Sequence, residues 1–246
     1  MHYRRSGADW SAALMLLLGA VLVLPLVALL VMALVSFDGA TMMHLARTVL
    51  VESVITSTLL VAGTVAGAVV VGVGCAWAIE RYQFTGRDAL GWLLVLPLAM
   101  PTYVIAYAYT DLLQYSGPVQ RWLRLSLGFE GRLPDVRSLW AAVILFAFVL
   151  YPYVYLMTRT ALRDLSQSSI DSARLLGLTQ RRVFRRVVLP LAMPAITAGA
   201  MLVMMETLAD VGATFYFGLQ TFSAGIYRAW YGLGNRGAAL MLAAAL

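Results

Sequence analysis

Lysine is absent from this chain of 246 residues, and all 18 of its basic residues are arginine. A phosphate-binding loop of the G-x-x-x-x-G-K type needs its lysine, so this chain cannot itself be a P-loop ATPase. Cysteine is almost as scarce. Cys75 stands alone in an apolar run, which excludes an internal disulfide or a cysteine-based metal site and leaves it as a small packing residue. The two histidines, His2 and His44, are too far apart and too terminal to suggest a metal site. No nucleophile–base constellation is present, and no cofactor is expected. Charge is also sparse: 12% of residues are charged and 61% are hydrophobic. Soluble domains carry about 25% charged residues, and half that value cannot cover a water-facing surface.

What the chain has instead is apolar blocks of bilayer-crossing length. A bilayer core of about 30 Å takes about 20 residues of helix, and lipid forces each backbone group to find its partner within the segment. The reading is therefore all-α: a polytopic transmembrane helical bundle of about six helices.

The first block runs from about Trp10 to Val35 behind Arg4 and Arg5. It is too long for a signal-peptide core and lacks an A-x-A cleavage site, so it reads as a retained helix. An amphipathic linker, about residues 40–51, leads to a second block, Ser53–Ile79. That block is rich in small residues, and Gly63 and Gly67 form a G-x-x-x-G that suits either general close packing or a dimer contact. A polar loop with Glu80, Arg81, Arg87 and Asp88 follows. The third block, about Leu90–Tyr109, is interrupted by Pro97 and Pro101. Proline breaks the helical hydrogen-bond ladder, so this is either a broken, cavity-lining helix or a packing kink. A polar excursion over 111–138 precedes the fourth block, about Leu139–Met157. The fifth spans about Leu191–Leu208, and the sixth starts near Ala238. It reaches Leu246 after barely two turns and so reads as truncated, as in one half of a longer chain.

Arginine bias sets the expected topology. With the N-terminus inside, inner segments hold eleven arginines and the longer outer segments seven. The loop over 159–190 then faces the cytoplasm. It carries an amphipathic stretch through Leu162, Leu165, Ile170, Ala173 and Leu176, closed by Gly177. A second cationic helix, Thr179–Val188, is expected to end at Leu189-Pro190, where helix five begins.

Within that loop, Asp171-Ser172-Ala173 is followed after three residues by Gly177, and after nine more by Val187-Val188-Leu189-Pro190. This resembles the coupling-loop signature of binding-protein-dependent ABC importer permeases. Asp171 stands where glutamate is usual, and Ser172 where alanine is. The resemblance extends through Leu96–Val104 and Ala106–Asp111, Glu206 with Asp210-Val211-Gly212, and Gly225–Trp230, and is nearest to ferric-iron permeases, often single chains with two such halves. It implies the type I (MetI-like) permease fold over 1–246, with 159–190 as its coupling loop. It further implies an ATPase subunit docking on Asp171, Ser172, Ala173, Leu176, Gly177, Leu189 and Pro190, a periplasmic substrate-binding protein outside, and a second permease half or homologous subunit. Membrane lipid is the surrounding partner, and no nucleic acid is expected. Ferric iron is the implied cargo. Thiamine, sulfate or a polyamine are alternatives within the class, because selectivity rests largely on the binding protein.

Ionisable groups inside membranes default to functional hypotheses. Glu206, Asp111 and Asp210 could form an acidic vestibule for a cation, or serve as structural bonds and helix caps. Tyr103 and Tyr107 share a helix face by their four-residue spacing, which suits either a pathway lining or an interfacial belt. A proton-driven carrier working through Glu206 or Asp210 is the competing class.

Overall fold

A computed structural model describes residues 6–36, 39, 43, 49–128, 131, 135–164 and 179–245. Its elements are α1 (Ser6–Val35), α2 (Val51–Arg81), α3 (Arg87–Leu93), a 3-10 turn (Leu96–Ala99), α4 (Thr102–Leu113), α5 (Pro118–Leu127) and α6 (Leu139–Asp164). Then follow α7 (Gln180–Val183), a π-helical turn (Phe184–Val188), α8 (Leu189–Ala209), α9 (Gly212–Tyr216), α10 (Phe222–Tyr227), a second π turn (Arg228–Gly232) and α11 (Arg236–Ala245). No strand occurs among the described residues, as the all-α reading requires.

Four helical segments are long and apolar enough to cross a membrane: Trp10–Val35, Val51–Arg81, Leu139–Asp164 and Phe184–Ala209. A fifth crossing results if the bent pair Arg87–Ala99 and Thr102–Leu127, which meet at 95°, counts as one span. The apolar helix α11 is shorter, at ten residues.

The chain divides into two compact units, residues 1–51 with 225–246, and residues 52–224. In the first, α1 exposes nearly its whole apolar surface, as a helix solvated by lipid would. Ala229, Ala238, Ala239 and Leu242 form a small core there with Leu50 and Ile226. In the second, α6 is the central helix. Half of its apolar window is enclosed, against 28% for α2 and α8. Phe146, Leu150, Val154 and Tyr155 of α6 meet Leu60, Ala68, Ala76 and Ile79 of α2, and Ala192, Ile196 and Val203 of α8. Where water is absent, helices associate by close packing, and small residues permit the approach. A Cβ at Gly199 would lie 2.7 Å from Val154 Cα, and one at Gly72 would lie 2.9 Å from both Tyr151 O and Tyr155 N. The G-x-x-x-G pair packs inside the chain: a Cβ at Gly63 would meet Val143, and one at Gly67 would meet Ala147.

Two boundaries differ from the expectations above, and a third settles an open choice. The fourth span runs on to Asp164, because Arg159 and Arg163, read as loop cations, are paired by a carboxylate and stay helical. Of the two readings for the third block the broken one holds, since two helices are joined by a 3-10 turn around Pro97. Helix does not stop at Leu189-Pro190 either. The π turn leads straight into α8, with Pro190 in the first turn of α8.

Candidate coupling segment and translocation face

Asp171, Ser172, Ala173, Leu176 and Gly177 lie outside the described residues. Their flanks are described. α6 is described to Asp164 and helix again from Gln180, so the segment between them in sequence links two consecutive spans. On the far flank Leu189 and Pro190 open α8. Val183 and Val188 are buried there with Trp77, Leu162, Phe184 and Val187 packed against them. Trp77 and Phe184 rings are 4.7 Å apart, beside an open cleft of about 330 Å³ that Tyr82, Gln180 and Arg185 complete.

On the near flank is a cluster that the sequence reading missed. Glu80, 15% exposed, accepts from Arg159 Nε at 2.8 Å and Arg163 Nε at 2.9 Å through Oε1, and from Arg87 Nη2 at 3.3 Å through Oε2. One carboxylate thus ties the end of α2 to the start of α3 and the last turns of α6. Next to it, Val95 N–H donates to Trp92 O at 3.0 Å and Leu98 N–H to Val95 O at 3.1 Å. These are three-residue steps. An α-helical ladder would have used Gly91 O and Leu94 O instead. Both freed carbonyls are taken by α6: Tyr155 Oη donates to Gly91 O at 3.0 Å and Tyr151 Oη to Leu94 O at 2.8 Å. The signal was in the sequence, since Tyr151, Tyr155, Arg159 and Arg163 recur every four residues. Its weight was hidden because the two arginines had been assigned to a loop.

The candidate pathway residues fall into smaller groups. Tyr103 and Tyr107 are on one face of α4, 55% and 61% exposed. A Cβ at Gly212 would lie 3.1 Å from Tyr103 Cβ, and the Tyr107 ring meets Tyr216 edge-on at 5.7 Å. The seam between α4 and α9 therefore holds both tyrosines. Arg137 lies over the Tyr216 ring at 5.2 Å. Asp210 sits on the same seam. Its Oδ1 accepts the Ala213 N–H at 2.8 Å, the geometry of a helix N-cap, and the Thr102 hydroxyl also reaches it. Burial pushes the Asp210 carboxyl above the usual aspartate range, against the lowering effect of those donors. Glu206 accepts the Tyr153 hydroxyl of α6 at 3.3 Å, and its charge adds to the rise at Asp210. Asp111 Oδ1 accepts Gln114 Nε2 at 2.8 Å. The structure thus brings Tyr103, Tyr107 and Asp210 together, while Glu206 and Asp111 each bond to a different neighbour. Among the described residues no group of three His, Cys, Asp or Glu side chains is placed to hold a metal ion.

The family model for the binding-protein-dependent transport system inner membrane component matches residues 68–246, and the chain belongs to that family. The sulfate transport system permease protein CysT of Escherichia coli is 32% identical over 148 residues, 60% of this chain and 51% of that protein. The molybdenum transport system permease protein ModB of Haemophilus influenzae is 30% identical over 146 residues, 58% of this chain and 60% of that one. The Fe(3+)-transport system permease protein FbpB 2 of the same organism is 25% identical over 237 residues, 96% of this chain but 43% of the relative. The chain thus spans about half the length of the relatives it matches. Among solved structures, a bacterial alginate ABC transporter in complex with a pentasaccharide-bound periplasmic protein superposes with a TM-score of 0.78. It covers 96% of this chain and 88% of its own, at 16% identity, a likeness of fold.

Proposed function

We propose that residues 1–246 act as one transmembrane permease domain of an ATP-driven importer, with ferric iron, delivered by a periplasmic binding protein, as the cargo. The observation that carries the reading is the Asp171–Pro190 spacing pattern, in a chain of this family, on the segment that joins α6 to α8. In this reading the N-terminus and residues 159–190 are cytoplasmic. A separate ATPase subunit docks on Asp171, Ser172, Ala173, Leu176 and Gly177, with Leu189 and Pro190 setting the return into α8. A second permease half completes the pathway, and the binding protein docks on the opposite side. ATP binding and hydrolysis by the partner tilt the helices to give alternating access. Gly177 permits a turn that a side chain would obstruct. Tyr103, Tyr107 and Asp210, gathered on the α4–α9 seam, line the path, with Glu206 and Asp111 outside that group.

The iron assignment is supported by the near-complete coverage of this chain by the iron permease relative. A second reading, an oxyanion cargo, is supported by the higher identity to sulfate and molybdenum permeases over the shorter stretch. Uptake into vesicles holding the complete transporter separates them. The proposal expects ATP-dependent accumulation of ferric iron from its loaded binding protein, abolished by Gly177→Trp. Accumulation of molybdate or sulfate instead would transfer the cargo to the second reading. Uptake that collapses with an uncoupler and ignores ATP depletion would remove the ATP-driven reading altogether.

A further inference from the structure

We infer that the ladder Tyr151–Tyr155–Arg159–Arg163, closed by Glu80, is a set of positioning residues that carries movement from the coupling segment to the break in the third span. The inference rests on the ATP-driven reading above.

The argument is geometric. Four residues spaced by four lie along one face of α6, and all four bond to the α2–α3 region. Arg163 and Arg159 hold Glu80 at the end of α6 that runs into the coupling segment. Arg159 Nη1 also reaches Gly91 O at 3.5 Å. Tyr155 and Tyr151 then take Gly91 O and Leu94 O. Glu80 pins the first residue of α3 through Arg87, while the tyrosines pin its last turn. α3 is therefore held at both ends by α6. Just past the break, α4 carries Tyr103 and Tyr107.

Two physical consequences follow. A carbonyl freed by a three-residue step is costly to leave unbonded away from water, so the break keeps its shape only while α6 is in register. From Tyr155 to Asp164 no proline interrupts α6, so a displacement at Asp164 moves Tyr155, Arg159 and Arg163 together, with Pro152 between them and Tyr151. The helix that leads into the coupling segment thus bonds directly to the residues beside the break.

The test uses the complete transporter with Cys75→Ala and a single reporter, Leu112→Cys, on the exposed last turn of α4. The rate of maleimide modification is measured without nucleotide and after trapping with ATP and vanadate, alongside ATP hydrolysis. With the ladder intact the rate changes about tenfold between the two states. In the Tyr151→Phe/Tyr155→Phe variant, which removes two hydroxyls and keeps both rings, hydrolysis persists but the change shrinks to about twofold or less. Glu80→Gln gives the same pattern at the other end. A variant that hydrolyses ATP and keeps the full change overturns the inference. So does an intact ladder that hydrolyses ATP with no change at Leu112→Cys. So does a paired loss of hydrolysis and change, which marks a merely structural role. Failure of the intact ladder complex to bind its ATPase at all is a separate result. It sinks the ATP-driven reading on which the inference stands.

Discussion

Along the seam between α2 and α6, two different devices hold the helices together. Toward one end, Gly63 and Gly67 let Val143 and Ala147 close in, and Gly72 admits the α6 backbone itself. Toward the other, Glu80 meets Arg159 and Arg163 across the same pair of helices. The first device is shape. It works because lipid offers no hydrophobic drive between helices, so contact area and close approach decide. The second is charge and hydrogen bonding. It works because the pairs are shielded, yet close enough to the span ends for Arg163 to stay 57% exposed. A shape contact is fixed once folded. A polar contact with several donors on one carboxylate can exchange partners as helices move, which suits the end that meets the coupling segment.

The comparison is broken most severely at Gly72. A leucine there would drive its Cβ into α6 backbone atoms that cannot turn aside, and overpacking of this kind costs about 3 kcal/mol. Gly72→Leu is expected to lose the folded protein in detergent, seen as an early thermal transition by size-exclusion chromatography. At the polar end, Glu80→Gln leaves three arginines without their shared anion. Breaking a buried pair costs about 3–5 kcal/mol, but the partial exposure of Arg163 and Arg87 brings the expectation to about 2 kcal/mol. The same melting assay checks it, and rising salt should narrow the gap between variant and parent.

Smaller effects sharpen the contrast. Tyr155→Phe removes one hydroxyl donor and leaves Gly91 O with only the long contact from Arg159. About 1 kcal/mol is expected, where a purely apolar seam would show none.

Asp210 supplies a control outside the seam. Asp210→Ala should cost about 1 kcal/mol through loss of the α9 cap, while Asp210→Asn keeps the cap. Burial raises the Asp210 carboxyl, so the folded state holds the proton more tightly than the unfolded state. The site's contribution to stability is therefore fullest below the ordinary aspartate pKa and falls as pH rises through the raised value. Melting between about pH 4 and 8 should show that slope in the natural protein and lose it in Asp210→Asn.

The spans themselves were legible, because apolar length is a direct consequence of bilayer thickness. About Trp10–Val35 was read as a crossing segment, and the α2 and α8 blocks were read to within two residues at both ends. What escaped was the fate of charges at helix ends. Arg159 and Arg163 look like loop residues until Glu80, some 80 positions away in sequence, is seen to neutralise them. A broken helix at Pro97 and Pro101 was one of two readings, but the two tyrosine hydroxyls from another helix that take the Gly91 and Leu94 carbonyls beside it are encoded in no local pattern. Asp210 offered two readings in sequence, and its bond to Ala213 N gives it the geometry of a cap. Tyr103 and Tyr107 share a face as their spacing implies, and their neighbour α9 was not foreseen.

The most direct test of the central claim is co-purification with the ATPase subunit in detergent, comparing the natural permease with Gly177→Trp at equal expression and folding. The account predicts retention of the ATPase by the natural protein and its loss from the variant. Equal retention by both would contradict the placement of the coupling contact at Asp171–Gly177, and retention by neither would contradict the ATP-driven permease itself.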